Sequence, residues 1–287
     1  MSDVEALTAA DLAEILAFHV EAGVDCALDE VTHDRFGIVP PQRPAAMADA
    51  AAARDEAAPR PLSRTPPAAS DPPRPAMAGA ALSTDEAAQS ATALARAATT
   101  LDGLKAALAS FEGCALKATA KNLCFADGNP SARIMLVGEA PGADEDRVGL
   151  PFVGVSGQLL DRMLAAIGLT RATDVYIANI VPWRPPGNRT PTTQEMMVCK
   201  PFIERQIQLA SPDILVTIGA PSSQALLGVK GIMAERGKWR DYLVGGRTIP
   251  AMPMLHPAYL LRTPIAKRQA WADMRALKAK FDLLPPR

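Results

Sequence analysis

The stretch IMLVGEAPGADEDRVGLPFVGVSG occupies residues 134–157. A short apolar run ends on Gly138-Glu139, a Pro141-Gly142 turn follows, and after a charged run Phe152 stands just before Val153-Gly154. Four to eight apolar residues bounded by turn formers read as a buried strand. Glycines at its end allow φ > 0 and let backbone N–H groups approach a bound oxygen. Glu139 is then an ionisable group at the strand's carboxyl end. The plain alternative is a solvated turn carboxylate. A phosphate loop is disfavoured: no Lys-Ser/Thr pair follows the glycines, and no helix is expected to start directly after them.

Working outward, apolar runs alternate with helical periodicity from Cys114 onward. Strands are expected at residues 133–138, 175–181, 214–219 and 248–255, and helices at 156–167, 193–210, 221–227 and 265–281. The first three strands are almost wholly apolar, which implies that both faces are covered. Strand–helix alternation implies an α/β fold with a parallel sheet. Such sheets bind ligands beyond the carboxyl ends of their strands. That rule gathers residues 138–142, 179–188, 219–222 and 256–262 along one edge.

The N-terminal part differs in kind. Residues 1–36 read as a short acidic helical segment. Residues 37–80 read as a disordered Pro/Ala-rich linker, because ten of the 26 prolines fall between Pro40 and Pro75 and such a composition buries too little apolar surface to offset its ordering entropy. Residues 82–111 read as helical, with Ser83 as N-cap and Glu86 completing a capping box. The third segment is thus 81–287. Residues 1–110 hold 8 basic and 16 acidic side chains, whereas residues 111–287 hold 22 and 15. The basic C-terminal part suits a polyanion such as nucleic acid. The acidic N-terminus lacks the basic and apolar regions of a secretory signal, and no apolar run is long enough to span a membrane. A cytoplasmic protein with reduced cysteines and no membrane partner is expected.

Two more strand ends attract attention. Asn179 interrupts an apolar strand, and an amide carries the donor and the acceptor needed to read a pyrimidine edge; the plain alternative is an Asn that pairs with backbone. Arg184 and Arg189 follow in a Pro/Gly-rich loop as candidate phosphate contacts. At the last strand, His256 precedes an apolar-aromatic tip, Ala258-Tyr259-Leu260-Leu261, and then Arg262. An apolar wedge beside an Arg is one way of entering a base stack.

Together these residues closely resemble the family 4 uracil-DNA glycosylases, over roughly residues 111–287. The likeness rests on Gly138-Glu139-Ala140-Pro141-Gly142, Glu145-Asp146, Pro151-Phe152-Val153-Gly154, Asn179, Arg184-Pro185-Pro186, Asn188-Arg189 and His256-Pro257-Ala258-Tyr259. The resemblance implies a three-layer α/β/α fold around a central four-stranded parallel sheet, and base-excision repair by removal of uracil flipped out of DNA. It implies that Phe152 stacks on the uracil, that Asn179 reads its edge, and that Gly138 and Ala140 line the pocket. His256 would stabilise the departing anion, and Glu139 the sugar cation or the attacking water. Tyr259, Leu260 or Leu261 would fill the gap in the duplex, with Arg262 on a phosphate. Two rivals follow from the same resemblance: a homologue that binds DNA without catalysis, and a relative that becomes covalently trapped on DNA. The second has Gln where this chain has Ala140.

The family default is a [4Fe-4S] cluster held by four cysteines. The corresponding residues here are Cys114, Lys117, Trp183 and Cys199. With two of four thiolates, no cofactor is expected. The expected partner is uracil-containing DNA, bound by a monomer, with the N-terminal segment a candidate docking element for a repair or replication protein.

Overall fold

The structure, a computed structural model, describes residues 84–285. The readings made for residues 1–36 and 37–80, and the Ser83 cap, lie outside the described residues. The expected continuous helix over 82–111 is broken in two. Helix α1 spans Thr84–Ala97 and α2 spans Leu101–Ser110. The break arises because the Thr100 side chain accepts the Gly103 N–H at 3.0 Å and starts a new helix. In α1, Ala87, Ala91 and Ala95 form a buried i, i+4 stripe.

The remaining elements in chain order are β1 (Asp127–Gly128), β2 (Ile134–Gly138), α3 (Ala143–Val148), α4 (Val155–Ala165), β3 (Val175–Asn179), α5 (Thr193–Ala210), β4 (Ile214–Ile218), α6 (Ala220–Leu227), α7 (Ile232–Glu235), β5 (Arg240–Val244), β6 (Arg247–Met254), α8 (Pro257–Arg262) and α9 (Lys267–Asp282). The sheet runs β1-β3-β2-β4-β6-β5. Its four inner strands are parallel, as expected. Two antiparallel edge strands make it six-stranded: β1 on β3, and β5 on β6. The β5–β6 pair turns at Gly245-Gly246, both with positive φ, as a tight hairpin requires.

The period-two alternation of the strands divides them between two cores. Met135, Val137, Tyr176, Ala178, Leu215 and Ala251 pack on one face with residues of α1, α2 and α5. Ile134, Leu136, Val175, Ile177, Val216 and Met252 pack on the other with Leu160 and Leu164 of α4 and Met274 and Leu277 of α9. This is the α/β/α layering. Helix α5 begins with a capping box: Thr192 Oγ1 accepts the Glu195 N–H, and the Glu195 carboxylate accepts the Thr192 N–H.

Register sets the functional edge. Pairing of Ile134 with Val175 runs through to Gly138 opposite Asn179. Pairing of Ile218 with Met254 runs to the next residues, where the Gly219 N–H donates to the Met254 carbonyl at 2.8 Å. The chain therefore delivers Glu139, Asn179 and His256 to the same side of the sheet.

Candidate active site at the carboxyl edge of the sheet

A cavity of about 630 Å³ opens at this edge, bordered by Glu139, Phe152, Asn179, His256, Tyr259 and Arg262 among others. Ala140 also borders it; Gly138 does not. The glycines serve close approach rather than positive φ, which corrects the expectation for Gly138 and Gly142. A Cβ on Gly138 would sit 2.4 Å from Asn179 Oδ1 and 2.7 Å from the Phe152 ring. A Cβ on Gly142 would sit 2.8 Å from Glu145 Oε2. A bare backbone here lets Phe152 and Asn179 lie directly against the strand end.

Helix α3 does start directly after the glycines, with Gly142 as its N-cap, contrary to expectation. Its first turn is Asp144, Glu145 and Asp146. The carboxylates meet the positive helix end themselves, so the loop remains unsuited to a phosphate. Glu145 is buried, and its role was not legible beforehand. Its Oε2 accepts the Gly142 N–H at 3.1 Å, and its Oε1 accepts the N–H groups of Val153 and Gly154, both at 2.9 Å. The carboxylate thus clamps the loop that presents Phe152. Phe152 itself holds φ at +54°, a left-handed conformation unusual for a bulky residue.

Phe152 is buried and its ring lies 5.5 Å from that of His256, inclined by 27°. Asn179 is 4 % exposed, and its Oδ1 has no hydrogen-bond partner. Leaving a buried polar atom unpaired costs about 1–3 kcal/mol, so an unpaired amide oxygen beside a cavity marks a position prepared for a donor on a ligand. His256 Nδ1 accepts the Ala258 N–H at 3.1 Å and caps α8. Burial, aided by the Arg262 charge, lowers its imidazole from 6.5 to about 4. The ring is therefore neutral near pH 7, and with Nδ1 accepting, the proton sits on Nε2, a donor. Burial raises the Glu139 carboxyl above its ordinary value, opposed by a hydrogen bond with Thr190.

The basic and apolar candidates separate. Arg184 Nε donates to Asn188 Oδ1 at 2.7 Å. Arg189 forms a two-pronged pair with Glu195, at 2.9 and 2.7 Å, so its charge is already matched. Arg262 is exposed and borders the cavity. Tyr259 also borders it. Leu260 is only 1 % exposed and packs with Leu255, Ala266 and Ala270. It is unavailable as a wedge, because helical periodicity turns it inward while Leu261, 39 % exposed, faces out.

The corner where the resemblance implies a cluster is built otherwise. Cys114, Cys199 and Trp183 are all buried in one apolar core with Phe202. The Lys117 ammonium turns away to the Ala109 carbonyl at 2.7 Å and to the Glu112 carboxylate. Of Lys117 and Trp183, only Trp183 fills space as a plug. The hydrogen bond with Cys114, together with burial, holds the Cys199 thiol well above the usual range. Cys124 is elsewhere, its thiol donating to the Glu145 carbonyl at 3.1 Å. A cubane cluster takes four thiolates; two thiols, an indole and an outward ammonium do not fit it. Among the described residues, no group of three or more His, Cys, Asp or Glu side chains is placed to hold a metal ion.

Comparison with known proteins bears on the same segment. The family model described as "Uracil DNA glycosylase superfamily" matches residues 125–275. The chain is similar to a type-4 uracil-DNA glycosylase of Saccharolobus solfataricus, 39% identical over 60% of this chain and 82% of the relative. It is also similar to one of Thermotoga maritima, 42% identical over 52% of this chain and 77% of the relative. A third, from Pyrobaculum aerophilum, is 37% identical over 56% of this chain and 84% of the relative.

Proposed function

The chain belongs to the uracil DNA glycosylase superfamily, and we propose that it hydrolyses the N-glycosidic bond of uracil in DNA, leaving an abasic site for base-excision repair. The observation that carries this reading is the unpaired, buried Asn179 Oδ1 at the cavity wall. An oxygen acceptor beside an amide donor matches the N3–H and O4 of uracil, and it mismatches the N4 amine donor of cytosine. Phe152 supplies a flat apolar face for the base.

Bond breaking separates charge into a sugar cation and a uracil anion. The neutral His256 donates from Nε2 to the O2 that gains negative charge, with no proton needing to leave beforehand. Glu139, as carboxylate, faces the opposite charge: it stabilises the sugar cation or orients the water that captures it. Uracil reaches this cavity only when flipped from the stack. Leu261 or Tyr259 then fills the gap and Arg262 holds a phosphate, with Arg184 a second contact. The partner is uracil-containing DNA, bound by a monomer. Because the cysteine corner does not fit a cluster, catalysis is proposed to proceed without one. Among the described residues no helix is long and apolar enough to cross a membrane.

The test is cleavage of a uracil-containing oligonucleotide by the purified full chain, with iron assayed on the same sample. Abasic product without stoichiometric iron is expected. Glu139→Gln is expected to lower kcat by on the order of 10²–10⁴. Folded protein that binds the oligonucleotide and releases no uracil would replace this reading with a binding-only one. An SDS-resistant protein–DNA band would point to covalent trapping.

A further inference from the structure

We propose that Arg171 is a positioning residue that fixes the Phe152 ring in the orientation needed to stack on a base. The consequence for uracil rests on the function proposed above; the effect on Phe152 does not. Arg171 lies in the α4–β3 connection and does not border the cavity. Its guanidinium nevertheless reaches both carbonyls around the stacking ring. Nη1 donates to the Pro151 carbonyl at 3.0 Å, and Nη2 to the Phe152 carbonyl at 2.5 Å.

The same guanidinium is itself aimed from two sides. Nη1 donates to Asp127 Oδ2 at 2.7 Å, and Nε to Asp161 Oδ1 at 2.9 Å. Asp127 belongs to β1 and Asp161 to α4, so the fork is set by the sheet edge and by a helix. Its side chain is 18 % exposed, less than either partner carboxylate. Four directed hydrogen bonds use the planar, five-donor geometry that Arg alone offers; a Lys ammonium is a single point with three donors.

Phe152 requires such a hold. Its φ of +54° is sparsely populated for a bulky residue and persists only where the surroundings over-determine it. Glu145 fixes the following amides, at Val153 and Gly154. Arg171 fixes the Pro151 carbonyl, in the peptide before Phe152, and the carbonyl of Phe152 itself, in the peptide after it. The two charged groups together pin the peptide planes on both sides of Phe152. A plain structural salt bridge would not need to reach the carbonyls.

The experiment compares full-length wild type with Arg171→Met, Arg171→Lys and Asp161→Asn. Hydrogen exchange of residues 151–157 is read alongside steady-state cleavage of a uracil oligonucleotide and its inhibition by free uracil. For Arg171→Met, exchange at residues 151–157 is expected to rise on the order of tenfold. Misplacing the ring is expected to lower kcat/KM by on the order of 10–100-fold, chiefly through KM, and to raise Ki for uracil in parallel. Arg171→Lys is expected to recover only part of either loss. Asp161→Asn keeps an oxygen acceptor for Nε and both carbonyl contacts, so its losses on both readouts are expected to be smaller than those of Arg171→Met. Wild-type exchange at residues 151–157 together with unchanged uracil inhibition in both Arg171 variants would overturn the proposal. If Arg171→Met does not fold, Arg171→Lys decides on the same readouts. A wild type that neither cleaves uracil DNA nor binds uracil would remove the glycosylase reading alone, since the exchange measurement still decides what Arg171 does.

Discussion

Three residues of chain separate Asn179 from Trp183, and their surroundings are opposite in kind. Asn179 keeps a buried oxygen unpaired beside a cavity. Trp183, 2 % exposed, lies in the core with Cys114, Cys199 and Phe202. Around Asn179 are a backbone in the left-handed region, a carboxyl raised by burial and an imidazole lowered by it. Around Trp183 there is dense apolar packing. Uncompensated polarity and strain gather where a ligand can relieve them. Packing without either contributes stability to the fold. The difference teaches that the pocket and the cysteine corner are separable: no residue of the corner borders the cavity.

The largest expected effect would break that comparison if it went the other way. Trp183→Ala is expected to cost about 3–5 kcal/mol of stability through the cavity it leaves, measured by urea unfolding, while kcat per folded molecule stays near wild type. A stable variant with abolished kcat would show that the corner takes part in the chemistry.

The next concerns the imidazole at the pocket. Well above pH 6.5, His256 is neutral in folded and unfolded chains and contributes nothing to pH dependence. As pH falls from 6.5 toward 4, the unfolded chain takes up a proton that the folded chain refuses. Stability is therefore lost on acidification, by up to about 3 kcal/mol. His256→Gln is expected to flatten that part of the stability–pH curve. Parallel curves for variant and wild type would show that the ring is not held neutral.

The smallest effect sharpens the assignment of Glu139. Thr190→Val removes the hydrogen bond that opposes the burial-driven rise of the Glu139 carboxyl. The acid limb of kcat/KM is expected to move to higher pH with its plateau little changed. An unmoved limb would detach Thr190 from the ionisation that governs the rate.

Much of the frame could be read from sequence because the inner strands are short apolar runs of uniform character. The expected ranges locate all four inner strands, and α5 spans its expected residues, 193–210. The edge elements escaped for physical reasons. Strand β1 is two residues long, and β5 alternates exposed and buried residues around charged Arg240 and Asp241. Helix α3 is six residues of mostly acidic sequence, with no apolar face to announce it. At the site, Glu139, Asn179, Phe152 and His256 do converge on one cavity. The sequence leaves Leu260 open beside Tyr259 and Leu261 because a wedge and a core residue are both leucines, and only the turn of α8 decides between them. Glu145 and Arg171 were missed as supports because their partners are backbone groups up to 20 residues away, which leave no local signal.

Gly157 touches no part of the cavity and has no side chain to offer. Yet any other residue there would place a Cβ 1.9 Å from the carbonyl oxygen of Phe152. The first turn of α4 and the backbone of Phe152 thus share one volume, and neither can be altered without displacing the other. In a saturation library screened for activity, position 157 would tolerate substitution as poorly as a reacting residue, though it takes part in no reaction. Intolerance to mutation in this protein therefore maps the space around Phe152 as faithfully as it maps the chemistry.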